Sequence, residues 1–175
     1  MSQKQDRLAA EQWAQGLLQR DDWCILDTET TGLKAAEICQ IAIIDGQGKT
    51  LLDSLVKPTK RIGRGATQIH EITNAMVADA PTFPEVYPGI RAAIEDKTVV
   101  IYNARFDRGV ISHCCKIHKL PLILTNTTCA MLFYSAWVGS RRSSGDYRWQ
   151  KLPGGDHTAL GDCRATLNVI KKMAG

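Results

Sequence analysis

Apolar positions along the chain fall into short runs and helical stripes that alternate from one end to the other. Ala10, Trp13, Ala14 and Leu17 recur at i, i+3, i+4 and i+7 without an intervening proline, which predicts a helix over residues 7–20. Trp23-Cys24-Ile25-Leu26-Asp27 is short and almost wholly apolar, the pattern of a strand covered on both faces. After a turn at Thr31-Gly32, a second strand is predicted over 38–45. Asp45-Gly46-Gln47-Gly48 then reads as a hairpin turn into a third strand near 49–56. The opening is therefore β-β-β and antiparallel.

Further on the period changes to helical. Thr73 stands where it would cap a short helix over 74–78, and Thr82-Phe83-Pro84-Glu85 has capping-box spacing for a helix to about residue 95. Pro88 inside that segment predicts a kink or a later start. A β-branched strand over 98–102, a helix over 105–118, a strand near 124–128 and a helix to about 137 follow. Residues 139–156, rich in Gly, Ser, Arg and Pro, read as a loop or mobile insertion. Ala159, Leu160, Cys163, Leu167 and Ile170 form one stripe of a final helix over 158–173. No repeat or linker interrupts the pattern, so residues 1–175 are expected to form one α/β domain.

Composition changes this picture little. The 175 residues suffice for a core, since a domain of ~150 residues buries about 70% of its unfolded surface. No apolar run reaches 18 residues, so no membrane span is expected, and the first fifteen residues lack an apolar signal core. Cytoplasmic localisation is the resulting expectation. The six cysteines, at 24, 39, 114, 115, 129 and 163, form no CxxC pair and sit mostly in apolar stretches. Buried thiols in a reducing compartment account for them better than zinc or disulfides do. A formal charge of +4 suits a polyanionic partner.

Candidate chemistry is concentrated in three segments. Asp27 and Glu29 lie two apart at the end of the first strand and so share one face of it. Two carboxylates that close beside a buried strand repel and are costly to desolvate unless a cation compensates, and all-oxygen ligation suits Mg²⁺ or Mn²⁺. The plain alternative is a solvated Glu29 and an Asp27 that caps a turn. Asp107 follows another strand at the entry to a helix, where the macrodipole alone would favour it. His157 and Asp162 lie five apart, ~140° around a helix. They reach one site more easily if His157 belongs to the loop that Gly154-Gly155-Asp156 suggests, and a solvated histidine is the alternative. None of the three decides the matter alone.

In order along the chain, Asp27-Thr28-Glu29-Thr30-Thr31-Gly32-Leu33, Asn103-Ala104-Arg105-Phe106-Asp107 and His157-Thr158-Ala159-Leu160-Gly161-Asp162 resemble the three motifs of the DEDDh (DnaQ-like) 3′→5′ exonucleases. The resemblance runs from about residue 23 to 172. It implies a ribonuclease H-like fold: a mixed five-stranded sheet, its first three strands antiparallel, flanked by helices. It also implies a two-metal exonuclease, using Mg²⁺ or Mn²⁺, that releases nucleoside 5′-monophosphates from single-stranded or frayed 3′ ends of DNA. RNA, as for ribonuclease T or the oligoribonucleases, is the alternative substrate, and a non-catalytic nucleic-acid-binding module is a third reading. In the implied site Asp27 bridges both ions, Glu29 and Asp162 complete the site of the attacking water, Asp107 holds the second ion, and His157 takes a proton.

By motif position the expected nucleotide contacts are Thr28, Thr30, Leu33 and Phe106, with His70 and Asn103 as further candidates. For Leu33 and Phe106 ordinary core packing is the alternative. Ile69-His70-Glu71-Ile72-Thr73 is similar to a further family signature in which Gly usually stands at the middle position, and Tyr102 stands where many members have His. Two basic stretches are candidate phosphate contacts: 57–64, and 141–151, where Arg141, Arg142 and Arg148 interleave with Tyr147 and Trp149. A solvated face explains either equally well. The protein is expected to act as a monomer or homodimer.

Overall fold

A computed structural model describes residues 2–124 and 126–175. Helix α1 (Gln3–Leu18) leads into strands β1 (Trp23–Thr30), β2 (Ile38–Asp45) and β3 (Thr50–Leu55). Helices α2 (Arg64–His70) and α3 (Phe83–Ile94) precede β4 (Thr98–Ile101), α4 (Ala104–Ile117), β5 (Thr127–Cys129), α5 (Ala130–Val138) and α6 (Ala159–Ala174). The five strands form one sheet in the order β3-β2-β1-β4-β5. β1–β2 and β2–β3 pair antiparallel, whereas β1–β4 and β4–β5 pair parallel. This is the mixed, ribonuclease H-like architecture expected.

Strand β1 lies mid-sheet and buries both faces, which is why its apolar run does not alternate with polar residues. Cys24 and Leu26 pack on one side with residues of α3 and α4, while Trp23 and Ile25 pack on the other against α1, α5 and α6. A small third cluster, with Cys39, Ile62, Ile72 and Val77, lies beneath the connection from β3 to α3. All six cysteines are free, five of them buried. Burial lifts the Cys24 and Cys39 thiols to about 12, so they remain protonated.

Several boundaries differ from expectation for identifiable reasons. α1 begins at residue 3, not 7, because Ser2 and Gln5 form a capping box. Pro88 does not delay α3, which starts at Phe83 on the Thr82 cap and carries Pro88 as the sixth of its twelve residues. Glu85 accepts hydrogen bonds from the Thr82 N–H and hydroxyl, both at 2.7 Å, and closes the expected capping box. Residues 74–79 form turns rather than the short helix expected after Thr73. The helix of this region is instead α2. The strand expected near 124–128 is β5, shifted to Thr127–Cys129, and residue 125 lies outside the described residues.

Candidate active site

The sheet leaves a notch at the C-terminal end of β1. There β1 pairs with β2 as far as Thr30, but with β4 only over Trp23–Ile25. Among the described residues the β4 side of β1 is unpaired beyond Ile25, and α6 and α4, which begins three residues after β4 ends, both pack against β1. Clefts outside the carboxyl ends of strands are common ligand sites in α/β sheets. Alternation along β1 directs Asp27 and Glu29 to the α6 side and Thr28 to the α4 side.

All four expected carboxylates meet at this notch. Asp27 is held well above the usual carboxylate range by burial first, then by repulsion from Asp107, Asp162 and Glu29. Burial, then the Asp162 and Asp107 charges, lift Glu29 to about 8. Asp107, only 4% exposed, is raised by burial to about 6, although the Thr28 hydroxyl donates to its Oδ1 at 2.7 Å and opposes the shift. Burial also raises Asp162. Among the described residues no hydrogen bond reaches the carboxylates of Asp27 or Glu29. Four acids so arranged are stable as anions only beside a compensating cation, and an all-oxygen donor set fits a hard divalent ion. Oxygens of Glu29 and Asp162 and a ring nitrogen of His157 lie within 4.8 Å of one another.

His157 reaches this position because it is not helical. α6 starts at Ala159 with Thr158 as its cap, whose hydroxyl accepts from the Gly161 N–H at 3.0 Å. Ahead of the cap, His157 adopts the left-handed backbone conformation (φ 60°), which costs a non-glycine residue roughly 1–2 kcal/mol. Asp162 sustains it: its Oδ1 accepts the N–H groups of Asp156 (3.0 Å) and His157 (3.3 Å). Asp156 in turn accepts from the Thr158 N–H and hydroxyl. A side chain at Gly161 would run into the Asp156 carboxylate, and one at Gly155 would come within 2.9 Å of Asp162 Oδ1. Gln40 of β2, opposite Glu29 in the sheet register, accepts the Ala159 N–H at 3.1 Å and fixes the start of α6. Gln40, Asp156 and Gly161 thus belong to the site although the sequence alone does not mark them for it. A lone glutamine in the apolar run Ile38-Cys39-Gln40-Ile41 was the available signal.

The expected nucleotide contacts divide into two groups. Leu33 is 87% exposed, which overturns core packing for it. With half-buried Phe106 it separates a cavity of about 590 Å³, floored by residues 28–34 and walled by Ile69 and His70, from one of about 490 Å³ bordered by Asn103. Thr28, Thr30 and His70 instead direct their side chains inward. Thr28 donates to Asp107, Thr30 donates to the Gly32 carbonyl, and His70 sits between the Thr30 carbonyl (3.1 Å from Nε2) and the Ile72 N–H (3.1 Å from Nδ1). His70 therefore braces the Asp27–Leu33 segment. Glu71 is the left-handed C-cap of α2 (φ 61°), which explains why Gly suits that position.

The two basic stretches are partly spent inside the protein. Lys60 Nζ donates to the Lys34 and Ala35 carbonyls. The expected loop over 139–156 is anchored rather than free: Arg141 donates to the Tyr147 hydroxyl (2.7 Å) and lies 3.5 Å from Asp6, and Tyr147 donates to Asp6 at 2.7 Å. Arg142 lies 5.5 Å from the Trp149 ring centroid. Arg148 is exposed, without an ion-pair partner among the described residues.

The model of the RNase T family, described as an exonuclease, matches residues 24–170. The uncharacterized exonuclease CP81 of Escherichia phage 186 is 37% identical over 172 residues, covering 88% of this chain and 89% of that protein. Exodeoxyribonuclease 10 of Escherichia coli K12 is 36% identical over 156 residues, covering 83% of this chain and 66% of that protein, slightly less than two thirds of its length. A structure of exonuclease X in complex with 5′ overhanging duplex DNA is 35% identical, with a TM-score of 0.62 over 87% of this chain and 93% of that one. The nuclease domain of 3′hExo, a DEDDh family member bound to rAMP, shares the fold at 16% identity, with a TM-score of 0.68 over 87% of this chain and 92% of that one.

Proposed function

Because the chain belongs to the RNase T exonuclease family, whose DEDDh members are metal-dependent nucleases, we propose that it shortens DNA from single-stranded or frayed 3′ ends. Each cycle releases one nucleoside 5′-monophosphate. The observation that carries this reading is the convergence of Asp27, Glu29, Asp107 and Asp162 from three elements on one notch, with His157 beside two of them. The preference for DNA rests on exodeoxyribonuclease 10 and on the DNA-bound exonuclease X among the relatives.

Asp27, Glu29, Asp107 and Asp162 would hold two divalent ions, Mg²⁺ or Mn²⁺. When bound, such ions supply charge stabilisation for the attacking and leaving oxygens of phosphoryl transfer. Thr28 keeps Asp107 turned toward the notch. Asp162 Oδ1 holds the backbone at His157, leaving Oδ2 without a protein donor among the described residues. His157 takes a proton from the water whose oxygen bonds to the terminal phosphorus, as the bond from that phosphorus to the penultimate 3′ oxygen breaks. Leu33 and Phe106 flank the terminal base, Asn103 borders its exit, and the backbone of Thr28 and Thr30 lines its floor.

The test compares 5′-labelled single-stranded DNA, duplex DNA and RNA, each with Mg²⁺ and with Mn²⁺, and an Asp27→Ala control. A ladder shortening from the 3′ end of the DNA, absent in the control, is expected. Equal shortening by both proteins would refute the reading, and faster digestion of RNA would reassign the substrate.

A further inference from the structure

Beyond Leu33 and Phe106 the cleft continues along the outer face of α4. The 490 Å³ cavity shares Asn103, Arg105, Gly109 and Trp149 with a third of about 810 Å³, which extends to Leu132 on α5 and to Leu122. Arg105, Arg108 and His113 line the two cavities, and among the described residues no Asp or Glu does. The groove is therefore open, apolar along its floor and cationic at its margin.

Two residues in it are poorly explained by the fold, although Arg142 lies 5.5 Å from the Trp149 ring centroid. Gly109 stands in the interior of α4, where glycine is less stable than alanine. A Cβ there would meet no protein atom within 4 Å, so neither packing nor backbone conformation requires glycine. Trp149 is 53% exposed, yet it is held in place: the next residue, Gln150, donates its N–H to Ser135 and accepts from the Tyr102 hydroxyl. An exposed, fixed indole beside a cationic groove with an unneeded gap in its wall matches what a single nucleic-acid strand requires, a stacking platform and close backbone access.

We propose that this groove binds the nucleotides upstream of the 3′-terminal one, with a base stacked on Trp149 and the strand crossing Gly109 between Arg105 and Arg108. The inference rests on the nucleic-acid reading above. It assigns the enzyme a strand longer than the two nucleotides nearest the acids, and a part of the strand that is unpaired.

The test is fluorescence anisotropy of labelled DNA of two, four, six and eight nucleotides, measured without divalent metal on the Asp27→Ala protein. Affinity is expected to rise with length up to about six nucleotides. Trp149→Ala should cut that gain about fivefold or more, the lower end of one base–aromatic stack, with Trp149→Phe retaining most of it. Gly109→Ala should shrink the gain as well while raising the melting temperature by ~1–4 °C, which separates a filled groove from a damaged fold. Converting Arg105 and Arg108 to Ala should flatten the salt dependence by ~0.7 in slope per lost phosphate contact. Unchanged length dependence in Trp149→Ala and Gly109→Ala would overturn the proposal. Because the readout is binding, it stands apart from the strand-shortening assay, and failure of either leaves the other result interpretable.

Discussion

Neutralising Glu29 should stabilise the metal-free protein, and only at high pH. Its carboxyl rises from 4.5 to about 8 on folding. A group whose folded value lies above its unfolded one contributes nothing adverse below the unfolded value, and destabilises progressively as pH rises through the folded value. Between pH 4.5 and 7 the cost grows by about 1.4 kcal/mol per pH step, or about 3 kcal/mol in all, reduced to ~2 because the carboxylate is still partly open to water. For a chain of this length ~2 kcal/mol is ~4–8 °C in melting temperature. Glu29→Gln in EDTA should therefore melt ~4–8 °C above the wild type at pH 7 and close to it at pH 4.5. Saturating Mg²⁺ should raise the wild type more at pH 8 than at pH 5, since protons compete with the metal for the same oxygens. Asp27, Asp107 and Asp162 shift in the same direction, but they share one mutual repulsion, so their effects do not add. Melting curves across pH 4.5–8, with and without Mg²⁺, read all of this. Parallel wild-type and Glu29→Gln profiles, or a Mg²⁺ increment independent of pH, would refute the assignment of the acid cluster as a cation site.

Three further outcomes follow from the same geometry. His157→Ala should lower kcat by ~10²–10⁴ if the ring is the general base, while the Mg²⁺-induced rise in melting temperature persists; a loss of only a few-fold would reduce the ring to orienting water. Gly161→Ala, by driving Asp156 away from the Thr158 turn, should misplace His157 and cost up to ~10²-fold in kcat with little change in KM, which steady-state kinetics on single-stranded DNA would detect. Glu71→Gly should raise the melting temperature by ~1–4 °C by relieving a left-handed C-cap, the strain of ~1–2 kcal/mol being partly offset by the greater unfolded-state freedom of glycine, and a fall would show that the Glu71 side chain stabilises the turn.

What the sequence made legible was set by the range of the interactions involved. The apolar run of β1, the hairpin at Asp45–Gly48 and the capping box at Thr82 are local, and each element formed where its pattern lay. α2 was not visible because Arg64–His70 buries only His70 and carries no apolar stripe. The loop at 139–156 read as free because its anchor lies 141 residues away, between Tyr147 and Asp6. Likewise Thr28 is expected to meet the nucleotide through backbone and side chain, and nothing near it in the chain shows that its hydroxyl donates to Asp107, 79 residues on.

The convergence of four acids and a histidine follows from how short β4 is relative to β1. Had β4 continued alongside β1 to Thr30, its backbone would occupy the edge across which Asp107 now reaches Asp27. Because the pairing ends at Ile25, one strand presents Asp27 and Glu29 on one face and Thr28 on the other, and helices from both layers of the fold close on the same gap. Asp162 then has two tasks at once, a carboxylate among the cluster and the acceptor that fixes the backbone of His157. Removing it would disturb both the cation site and the base, so the single variant cannot apportion its effect. Gly161→Ala and Glu29→Gln perturb the two separately, and only together with Asp162→Ala do they divide its loss between metal binding and proton transfer.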